Sequence, residues 1–355
     1  MNISVLLGGY SAERDVSLAS GLRIAGALRE RGHQVTCVDP AAVTAEGVLT
    51  RGDEAALLAA GVGTTPPSLE ALGKLGDGAQ GISPALATWP AVRAADVLFL
   101  ALHGGQGEDG TLQALLDLGR VRYTGSGHLG SALAMDKHLS KVLFRAAGVG
   151  TADWRMAPAT AVDAERARFR DEVVAALGLP VIVKPSKQGS SVALTVVRDA
   201  EALWPAVDLA FRYDDAVMVE CFVPGRELTV GILGEDALPV VEILPKHEIY
   251  DYECKYTAGM AEERVADLAP GQAAELQRQA RLAFDALGLG GYARVDFRMD
   301  AGGDFYCLEA NTLPGMTELS LIPQAAAAAG LLFPALCERI VELAGGTRLA
   351  TTRES

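Results

Sequence analysis

The sequence predicts an α/β (α+β) protein whose first domain contains a doubly wound parallel sheet. Residues 3–7 form a short apolar strand, residues 16–31 show helical periodicity, and residues 33–38 form a second strand. Strand, helix and strand in this order begin a parallel, doubly wound sheet. The chain has 355 residues, half of them hydrophobic and only 6% aromatic. That length exceeds one ordinary core, so we expect two or three domains.

The later elements follow from periodicity and from glycine or proline breaks. Residues 41–90 are rich in Ala, Gly, Thr and Pro and predict short helices and loops inserted into the first domain. Predicted strands cover residues 95–102, 180–185, 192–197, 216–222, 227–233 and 238–244, and a hairpin lies within 290–316. Predicted helices cover residues 111–118, 136–147, 199–211, 271–287, 318–329 and 334–343, with polar loop 246–264 and a disordered tail at 347–355.

Composition excludes several classes of function. The formal net charge of -14 argues against nucleic acid as a partner, because phosphate backbones require a basic face. The five cysteines are scattered and include no CxxC pair, which is typical of a reduced cytoplasmic protein rather than a disulfide framework or a zinc site. The apolar run at residues 323–332 is short and contains Gly330, so we expect no membrane span.

The predicted hairpin carries the most informative polar residues. Because side chains alternate along a strand, Arg294 and Asp296 share one face of its first strand, and Glu309 and Asn311 share one face of its second. Two carboxylates and an amide suit Mg²⁺ completed by phosphates and water, and an arginine suits a phosphate or an oxyanion. A salt-bridged sheet surface explains the same residues equally well.

Two segments suggest a nucleotide site. Lys184 ends an apolar strand four residues before the Gln188-Gly-Ser-Ser191 loop, whose backbone N–H groups suit phosphate oxygens. The loop matches neither GxxxxGK[ST] nor GxGxxG, so an ordinary hairpin with a surface lysine remains open. Glu220 and Val223 close another strand and suit an adenine hinge, and Glu227 suits ribose hydroxyls; a solvent-facing glutamate is the alternative.

Two further residues follow strands of the first domain. His103 lies at the carboxyl end of a predicted strand, where open α/β sheets bind ligands. Glu13 follows the first strand at the same expected edge and suits an ammonium group. Its alternative role is to stabilise the positive end of the following helix dipole.

Taken together, these segments resemble the D-alanine–D-alanine ligase family of the ATP-grasp superfamily. The resemblance covers nearly the whole chain in order and is carried by GGYSAERDVSLASG, LHGGQGEDGTLQALL, MDKHLSK, VIVKPSKQGSSV, VECFVPGRELTV, YDYECKY, ARVDF and CLEANTLPGMTELSLIP. It implies a three-domain ATP-grasp fold with ATP held between two antiparallel sheets. The implied domains are residues 1–125 (substrate binding), 126–223 (central) and 224–346 (catalytic), with a lid at about 246–264.

The resemblance also implies an activity and a role for each matching residue. The activity is ligation of two D-alanine molecules through an acyl phosphate for peptidoglycan synthesis, with ATP, two Mg²⁺ ions or Mn²⁺, and a homodimer. Phosphate contacts are implied for Lys137, Lys184 and Lys255, adenosine contacts for Glu220, Cys221, Val223 and Glu227, and metal contacts for Asp296, Glu309 and Asn311. Substrate contacts are implied for Glu13, His103, Ser320 and Leu321, an oxyanion hole for Arg294 and Gly315, and a lid network for Ser190 and Tyr256 with Glu13.

Two departures and three alternatives qualify this interpretation. Gln188 stands where the family often has an acidic residue, and Cys221 stands where it often has a lysine. Tyr256 favours dipeptide formation over D-alanyl-D-lactate formation. A depsipeptide ligase, another ATP-grasp carboxylate–amine ligase and a non-catalytic nucleotide-binding protein are the alternatives. The full set Arg294, Asp296, Glu309 and Asn311 argues against the last of these.

Overall fold

The computed structural model describes residues 1–42, 45–61, 81–159, 162–189, 192–250, 254, 257, 259–317 and 320–344. Its strands are β1 (Asn2–Leu6), β2 (Gln34–Val38), β3 (Val97–Leu100), β4 (Trp154–Met156), β5 (Val181–Pro185), β6 (Thr195–Val197), β7 (Val217–Cys221), β8 (Arg226–Leu233), β9 (Asp236–Ala237), β10 (Val241–Pro245), β11 (Ala261–Val265), β12 (Tyr292–Met299) and β13 (Phe305–Asn311). Its helices are α1 (Arg14–Glu30), α2 (Arg51–Ala60), α3 (Pro90–Arg93), α4 (Thr111–Leu118), α5 (His128–Met135), α6 (Lys137–Ala146), α7 (Asp163–Leu177), α8 (Leu203–Ala210), α9 (Pro270–Ala286), α10 (Leu321–Ala328) and α11 (Phe333–Ala344). Short 3₁₀ turns occupy Ala45–Gly47, Leu86–Thr88, Gly105–Gly107 and Ala200–Ala202.

The first sheet is parallel, with strand order β2-β1-β3. Its strands are apolar because helices cover them, and β3 is buried at all four of its positions. Helix α1 packs one side of its surface inward through Leu18, Leu22 and Leu28. The carboxyl ends of β1 and β3 therefore lie side by side, and the segments that carry Glu13 and His103 leave the sheet there.

Two antiparallel sheets follow. The smaller has the order β4-β7-β5-β6, and the larger has the order β11-β10-β8-β12-β13, with β9 paired to β8. The predicted combination of a parallel sheet with antiparallel sheets is found. The buried interior of β8 and β12 packs against α9, which contributes Leu276, Ala280 and Phe284.

The last two helices close the main core. Leu336 and Ile340 of α11 lie in the same buried cluster as Leu22 and Leu28 of α1, so the two ends of the described chain pack together. Of the helices in the described ranges, none alone has the length and apolar composition needed to cross a membrane. The pair α10 and α11 meets that test only when joined across a bend of 102°.

Two sequence predictions were wrong in extent. Residues 261–264 were expected in a solvated loop, but they form the edge strand β11, which pairs with β10 from Ala261 to Val265. Charged side chains suit an edge strand because they discourage pairing with another chain. The helix predicted over 199–211 is a 3₁₀ turn followed by α8, since Pro205 has no N–H and fits only a first helical turn.

The other boundaries differ by a few residues, and several predictions are not tested. Residues 192–194 precede β6 instead of belonging to it, and α5 begins at His128, three residues after the proposed end of the first domain. The three domain ranges remain predictions. Most of residues 251–258 in the predicted lid and the whole of the 347–355 tail lie outside the described residues.

Candidate active site

The β12–β13 hairpin has the register that the sequence left open. Arg294 lies opposite Asn311, and Asp296 lies opposite Glu309. The register shifts just after Asp296, so that Phe297 pairs with Cys307 and Leu308 is the extra residue. Such bulges re-aim side chains and are common beside functional sites. The hairpin therefore places two carboxylates, one amide and one guanidinium close together.

Asp296 is the centre of this group. Its Oδ1 accepts hydrogen bonds from Arg294 Nε at 2.8 Å and from the Thr229 hydroxyl at 2.6 Å. Its Oδ2 accepts from the second Arg294 nitrogen at 2.8 Å and from Asn311 Nδ2 at 3.1 Å. Burial acts to lower the pKa of Arg294, but the Asp296 carboxylate outweighs it and raises that pKa. The arginine is thus a fixed cation in a planar, two-bond pairing.

Glu309 links the hairpin to helix α6. Lys137, the first residue of that helix, places Nζ 3.0 Å from Glu309 Oε2. The same ammonium donates to the Gln188 carbonyl at 2.8 Å. Asp136 caps the helix by accepting from the His138 and Leu139 backbone N–H groups. This cap fixes the start of the helix and therefore the position of Lys137. One lysine therefore spans the hairpin carboxylate and the glycine loop.

A buried cluster lies behind Lys184. The Glu220 carboxylate is ion-paired with both Lys141 and Lys184, one lysine to each oxygen. Glu220 is 2% exposed. Burial acts to raise its pKa, but the two ammonium charges outweigh burial and lower the pKa. In this structure the carboxylate that we predicted to contact adenosine thus binds two lysines.

A cleft opens between the two antiparallel sheets, and residues from both line it. Of the predicted site residues, its lining includes Lys137, Lys184, Glu220, Cys221, Val223, Glu227, Arg294, Asp296 and Glu309. Arg298 also lines the cleft and donates to the Val223 carbonyl and to Glu227 Oε2, both at 3.1 Å. The Cys221 N–H donates to the Asp153 carbonyl at 2.8 Å. The predicted hinge is therefore braced by the large sheet.

Glu13 lies where the parallel sheet meets the glycine loop. A Cβ added to Gly104 would come 2.5 Å from Glu13 Oε2, and one added to Gly189 would come 3.2 Å from it. Gly104 also has a φ of +70°, a conformation that side chains with a Cβ rarely adopt. Glycine at both positions therefore lets two loops approach one carboxylate.

His103 binds other parts of the protein through both ring nitrogens. Nδ1 lies 2.7 Å from the Leu313 carbonyl, and Nε2 lies 3.2 Å from the Ser20 hydroxyl. Burial lowers the pKa of His103, although the Glu13 carboxylate acts in the opposite direction. Ser20 also accepts from the Met316 N–H at 3.2 Å, so both residues hold the loop after β13.

A buried glutamate accompanies His103. Glu108 accepts from the Gly104 N–H at 2.9 Å. Burial, together with the nearby Glu13 carboxylate, raises the pKa of Glu108 to about 8. At neutral pH this carboxyl group is therefore largely protonated.

The remaining predicted substrate residues lie on the loop after β13. Gly315 approaches Ser320 closely, because a Cβ on Gly315 would come 3.2 Å from Ser320 Oγ. That oxygen accepts from the Thr317 N–H at 3.0 Å. Leu321 begins α10 and is 5% exposed within the main core. Ser190, Lys255 and Tyr256 lie outside the described residues.

Three residues of the site were not singled out from the sequence. Lys141 follows Lys137 by four positions, and that spacing places both lysines on one face of a helix. Arg298 follows Asp296 by two positions and so shares its strand face. Thr229 gave no local signal, because it reaches Asp296 only through pairing of β8 with β12.

Comparison with known proteins agrees with this geometry. The family model described as D-ala D-ala ligase N-terminus matches residues 2–126, and the model described as D-ala D-ala ligase C-terminus matches residues 143–342. The chain is 42% identical to a D-alanine--D-alanine ligase of Geobacter sulfurreducens, over 96% of this chain and 92% of the relative. It is 41% identical to one of Citrifermentans bemidjiense, over 96% and 95%.

Solved structures lead to the same family. The D-alanine-D-alanine ligase of Coxiella burnetii is 30% identical with a TM-score of 0.75, over 97% of this chain and 93% of that one. The Bacillus anthracis D-alanine--D-alanine ligase complexed with ATP is 28% identical with a TM-score of 0.70, over 97% and 96%. These neighbours confirm the predicted ATP-grasp fold. The chain belongs to the D-alanine–D-alanine ligase family.

Proposed function

We propose that this protein joins two D-alanine molecules into D-alanyl-D-alanine, with conversion of ATP to ADP and phosphate, and so supplies peptidoglycan synthesis. The carboxylate of the first D-alanine attacks the γ-phosphorus, ADP leaves, and an acyl phosphate forms. The neutral amine of the second D-alanine then attacks the acyl carbon. Phosphate leaves, the amine loses a proton, and an amide bond results.

The cleft between the sheets is the proposed ATP site. Val223 and the Cys221 backbone meet the base, and Glu227 accepts from ribose hydroxyls. The Val223 carbonyl accepts from Arg298, so its N–H is the group left for the base. Glu220 is proposed to contact adenosine, and its pairing with Lys184 also links it to the proposed phosphate lysine.

Charge neutralisation on the phosphates is the main demand of phosphoryl transfer. Lys137 and Lys184 meet that demand from the described residues, and Lys255 is the third proposed lysine. Asp296, Glu309 and Asn311 fit Mg²⁺ or Mn²⁺, because hard divalent cations take carboxylate and amide oxygens and share phosphate oxygens. When bound, two such ions would neutralise the transferring phosphoryl group.

The tetrahedral intermediate requires a donor to its oxyanion. Arg294 and the Gly315 N–H are the proposed donors, and each well-placed donor contributes about 3 kcal/mol. The pairing of Arg294 with Asp296 orients the guanidinium before substrate arrives. His103 supports this arrangement by holding the Leu313 carbonyl, and thereby the loop that carries Gly315.

Substrate recognition is assigned to groups around that loop. Glu13 binds the ammonium of the first D-alanine, with His103 beside it. Ser320 binds the carboxylate of the second D-alanine, and Leu321 is the second proposed contact of that molecule. Ser190 and Tyr256 complete a network with Glu13 that closes over the acyl phosphate and excludes water.

A single contact carries the proposal most strongly. Lys137 Nζ lies 3.0 Å from Glu309, so a predicted phosphate lysine and a predicted metal carboxylate share one point of the cleft. The alternative, a salt-bridged sheet surface, does not require a lysine from helix α6 to contact a carboxylate on β13. A phosphate bridging a lysine and a cation does need it.

Product analysis tests the function. We expect ADP release from ATP that requires both D-alanine and Mg²⁺, with D-alanyl-D-alanine as product. Turnover with D-alanine plus D-lactate, but none with D-alanine alone, would replace the proposal with a depsipeptide ligase. Tight nucleotide binding without ADP release under any of these conditions would favour a non-catalytic protein.

Glu309→Ala tests the metal assignment. We expect kcat to fall by about 10³ or more, because the site loses one of its two carboxylates and the partner of Lys137. The fold should remain, since Glu309 is on the open side of the hairpin. Glu201→Ala is the control, because that side chain is 79% exposed and remote from the cleft. Wild-type turnover by Glu309→Ala would refute the assignment.

We also propose a homodimer, which rests on the family resemblance. Sedimentation equilibrium of the intact chain should give twice the mass of one chain. A single-chain mass at micromolar concentration would contradict this part of the proposal, without affecting the reaction.

A further inference from the structure

Lys141 is the most deeply buried charge beside the cleft. Its side chain is 0% exposed, while that of Lys184 is 9% exposed and lines the cleft. Both lysines bind the same carboxylate, Glu220, from opposite oxygens. Burial lowers the pKa of Lys141, and the Glu220 charge acts in the opposite direction. A charge buried at this cost, and out of reach of the cleft, requires an explanation.

The surroundings of Lys141 hold it in place. Its ammonium also donates to the Thr151 hydroxyl, and that hydroxyl donates to the Cys307 carbonyl of β13 at 2.8 Å. The ammonium lies 5.2 Å from the centre of the Trp154 ring, a distance suited to a cation–π contact. Trp154 pairs directly with Glu220 across β4 and β7. Lys141 is therefore fixed between two sheets, whereas Lys184 borders open space.

The number of charges shows what Lys141 contributes. Two lysines share one carboxylate, so one positive charge is in excess. If Lys184 turns toward a phosphate, Glu220 keeps Lys141 as its partner. Without Lys141, the same movement would leave a buried carboxylate unpaired, which is among the costlier changes in a protein interior.

We infer that Lys141 is a positioning residue, which keeps Glu220 neutralised and so frees Lys184 to bind the nucleotide phosphates. This inference rests on the proposed function, in which Lys184 meets phosphate. It gives Glu220 a part in placing the proposed phosphate lysine, through its pairing with Lys184. Lys141 itself contacts no substrate and acts through Glu220 and Lys184.

Nucleotide titration separates this role from general packing. AMP-PNP with Mg²⁺ and adenosine are titrated into the full-length wild type, Lys141→Met and Lys141→Arg. For Lys141→Met we expect AMP-PNP to bind about tenfold more weakly, because Glu220 then holds Lys184 more strongly. Adenosine, which has no phosphate, should bind within about twofold of wild type. Lys141→Arg keeps the charge and should restore most of the AMP-PNP affinity.

A second substitution tests the link through Glu220. Adding Glu220→Gln to Lys141→Met removes the carboxylate that competes for Lys184, so AMP-PNP affinity should recover toward wild type. Failure to recover would overturn the inference. Equal losses for adenosine and AMP-PNP would also overturn it, since the effect of Lys141 would then not depend on the phosphates. Unchanged AMP-PNP binding in Lys141→Met would overturn the inference as well.

Two controls keep the result interpretable. Lys141→Gln can still donate to Thr151 and replaces Lys141→Met if that variant does not fold, with the same expected losses. Glu242→Gln removes another carboxylate held by two cations, away from the cleft, and should leave both affinities unchanged. Failure of the proposed function would appear separately, as wild-type protein that binds AMP-PNP but releases no ADP with D-alanine.

Discussion

Glu220 and Glu242 are both glutamates held between two cations, yet their surroundings differ. Glu220 lies between Lys141 and Lys184, whose side chains are 0% and 9% exposed. Glu242 lies on β10 between Arg226 and Arg264, whose side chains are 31% and 52% exposed. The first cluster borders the cleft between the antiparallel sheets, whereas the second lies where β8, β10 and β11 pair.

The choice of cation matches these surroundings. Arg226 donates to Glu242 from two nitrogens at 2.6 and 2.9 Å, and Arg264 donates from two more at 3.3 and 3.1 Å. A planar guanidinium in such a pairing is held in one orientation. A lysine is a point charge on a flexible stem, so it can exchange one anion for another. The arginine cluster thus fastens strands together, and the lysine cluster can serve a ligand.

Replacing one cation in each cluster should give the largest difference between the clusters, measured as the change in kcat/KM. Lys184→Met should lower kcat/KM by about 10²–10³, because a charge aimed at the phosphates is lost. Arg226→Met should leave kcat/KM within about threefold, since it lies outside the cleft. Steady-state ADP release measures both. Similar losses in the two variants would mean that the clusters do not differ in function.

Removing the Glu220 carboxylate should lower the free energy of unfolding more than removing the Glu242 carboxylate. Glu220→Ala leaves two neighbouring lysines without an anion, one of them fully buried, and should destabilise the protein by about 3–5 kcal/mol. Glu242→Ala leaves arginines that water can reach, and about 1–2 kcal/mol is expected. Urea denaturation compares the two through their midpoints. The reverse order would contradict the difference in burial.

Lowering the pH should reduce the contribution of both clusters to folding stability, with a smaller effect than the substitutions. The pKa of Glu220 is lowered because the lysine charges outweigh burial, and that of Glu242 is lowered chiefly by the Arg226 hydrogen bonds. A lowered folded-state pKa contributes stability above the ordinary value of 4.5, and the contribution is lost as pH falls through the folded-state pKa. The stability advantage of wild type over Glu220→Gln or Glu242→Gln should therefore shrink below about pH 4.5. An advantage that is constant from pH 7 to 3 would exclude this linkage.

The hairpin shows what the sequence could predict. Strand alternation placed Arg294 and Asp296 on one face of the first strand, and Glu309 and Asn311 on one face of the second. The register remained open, because the bulge at Leu308 depends on the pairing of whole strands. The edge strand β11 was missed for a related reason. Its charged residues are typical of a loop, and only the pairing with β10 makes this segment a strand.

Residue roles were harder to predict than elements. Lys184 carried a local signal, a strand leading into a glycine loop, whereas Lys137 was implied only by the family resemblance. The partnership of Lys141 with Glu220 carried none, since 79 positions separate the two residues. His103 likewise suggested a ligand contact because of its place at a strand end. Its ring is held by Ser20 and Leu313, which no local pattern brings near.

The contacts of His103 also bear on how the protein is made. Its bond to the Leu313 carbonyl spans 210 positions, and the bond from Met316 to Ser20 spans 296. During synthesis on the ribosome, Ser20 and His103 emerge long before the loop that they hold. The early part of the chain can form its sheet, but the loop that carries Gly315 has no anchor until translation has passed Met316. Catalytic competence should therefore appear only after residue 316 has been added to the chain.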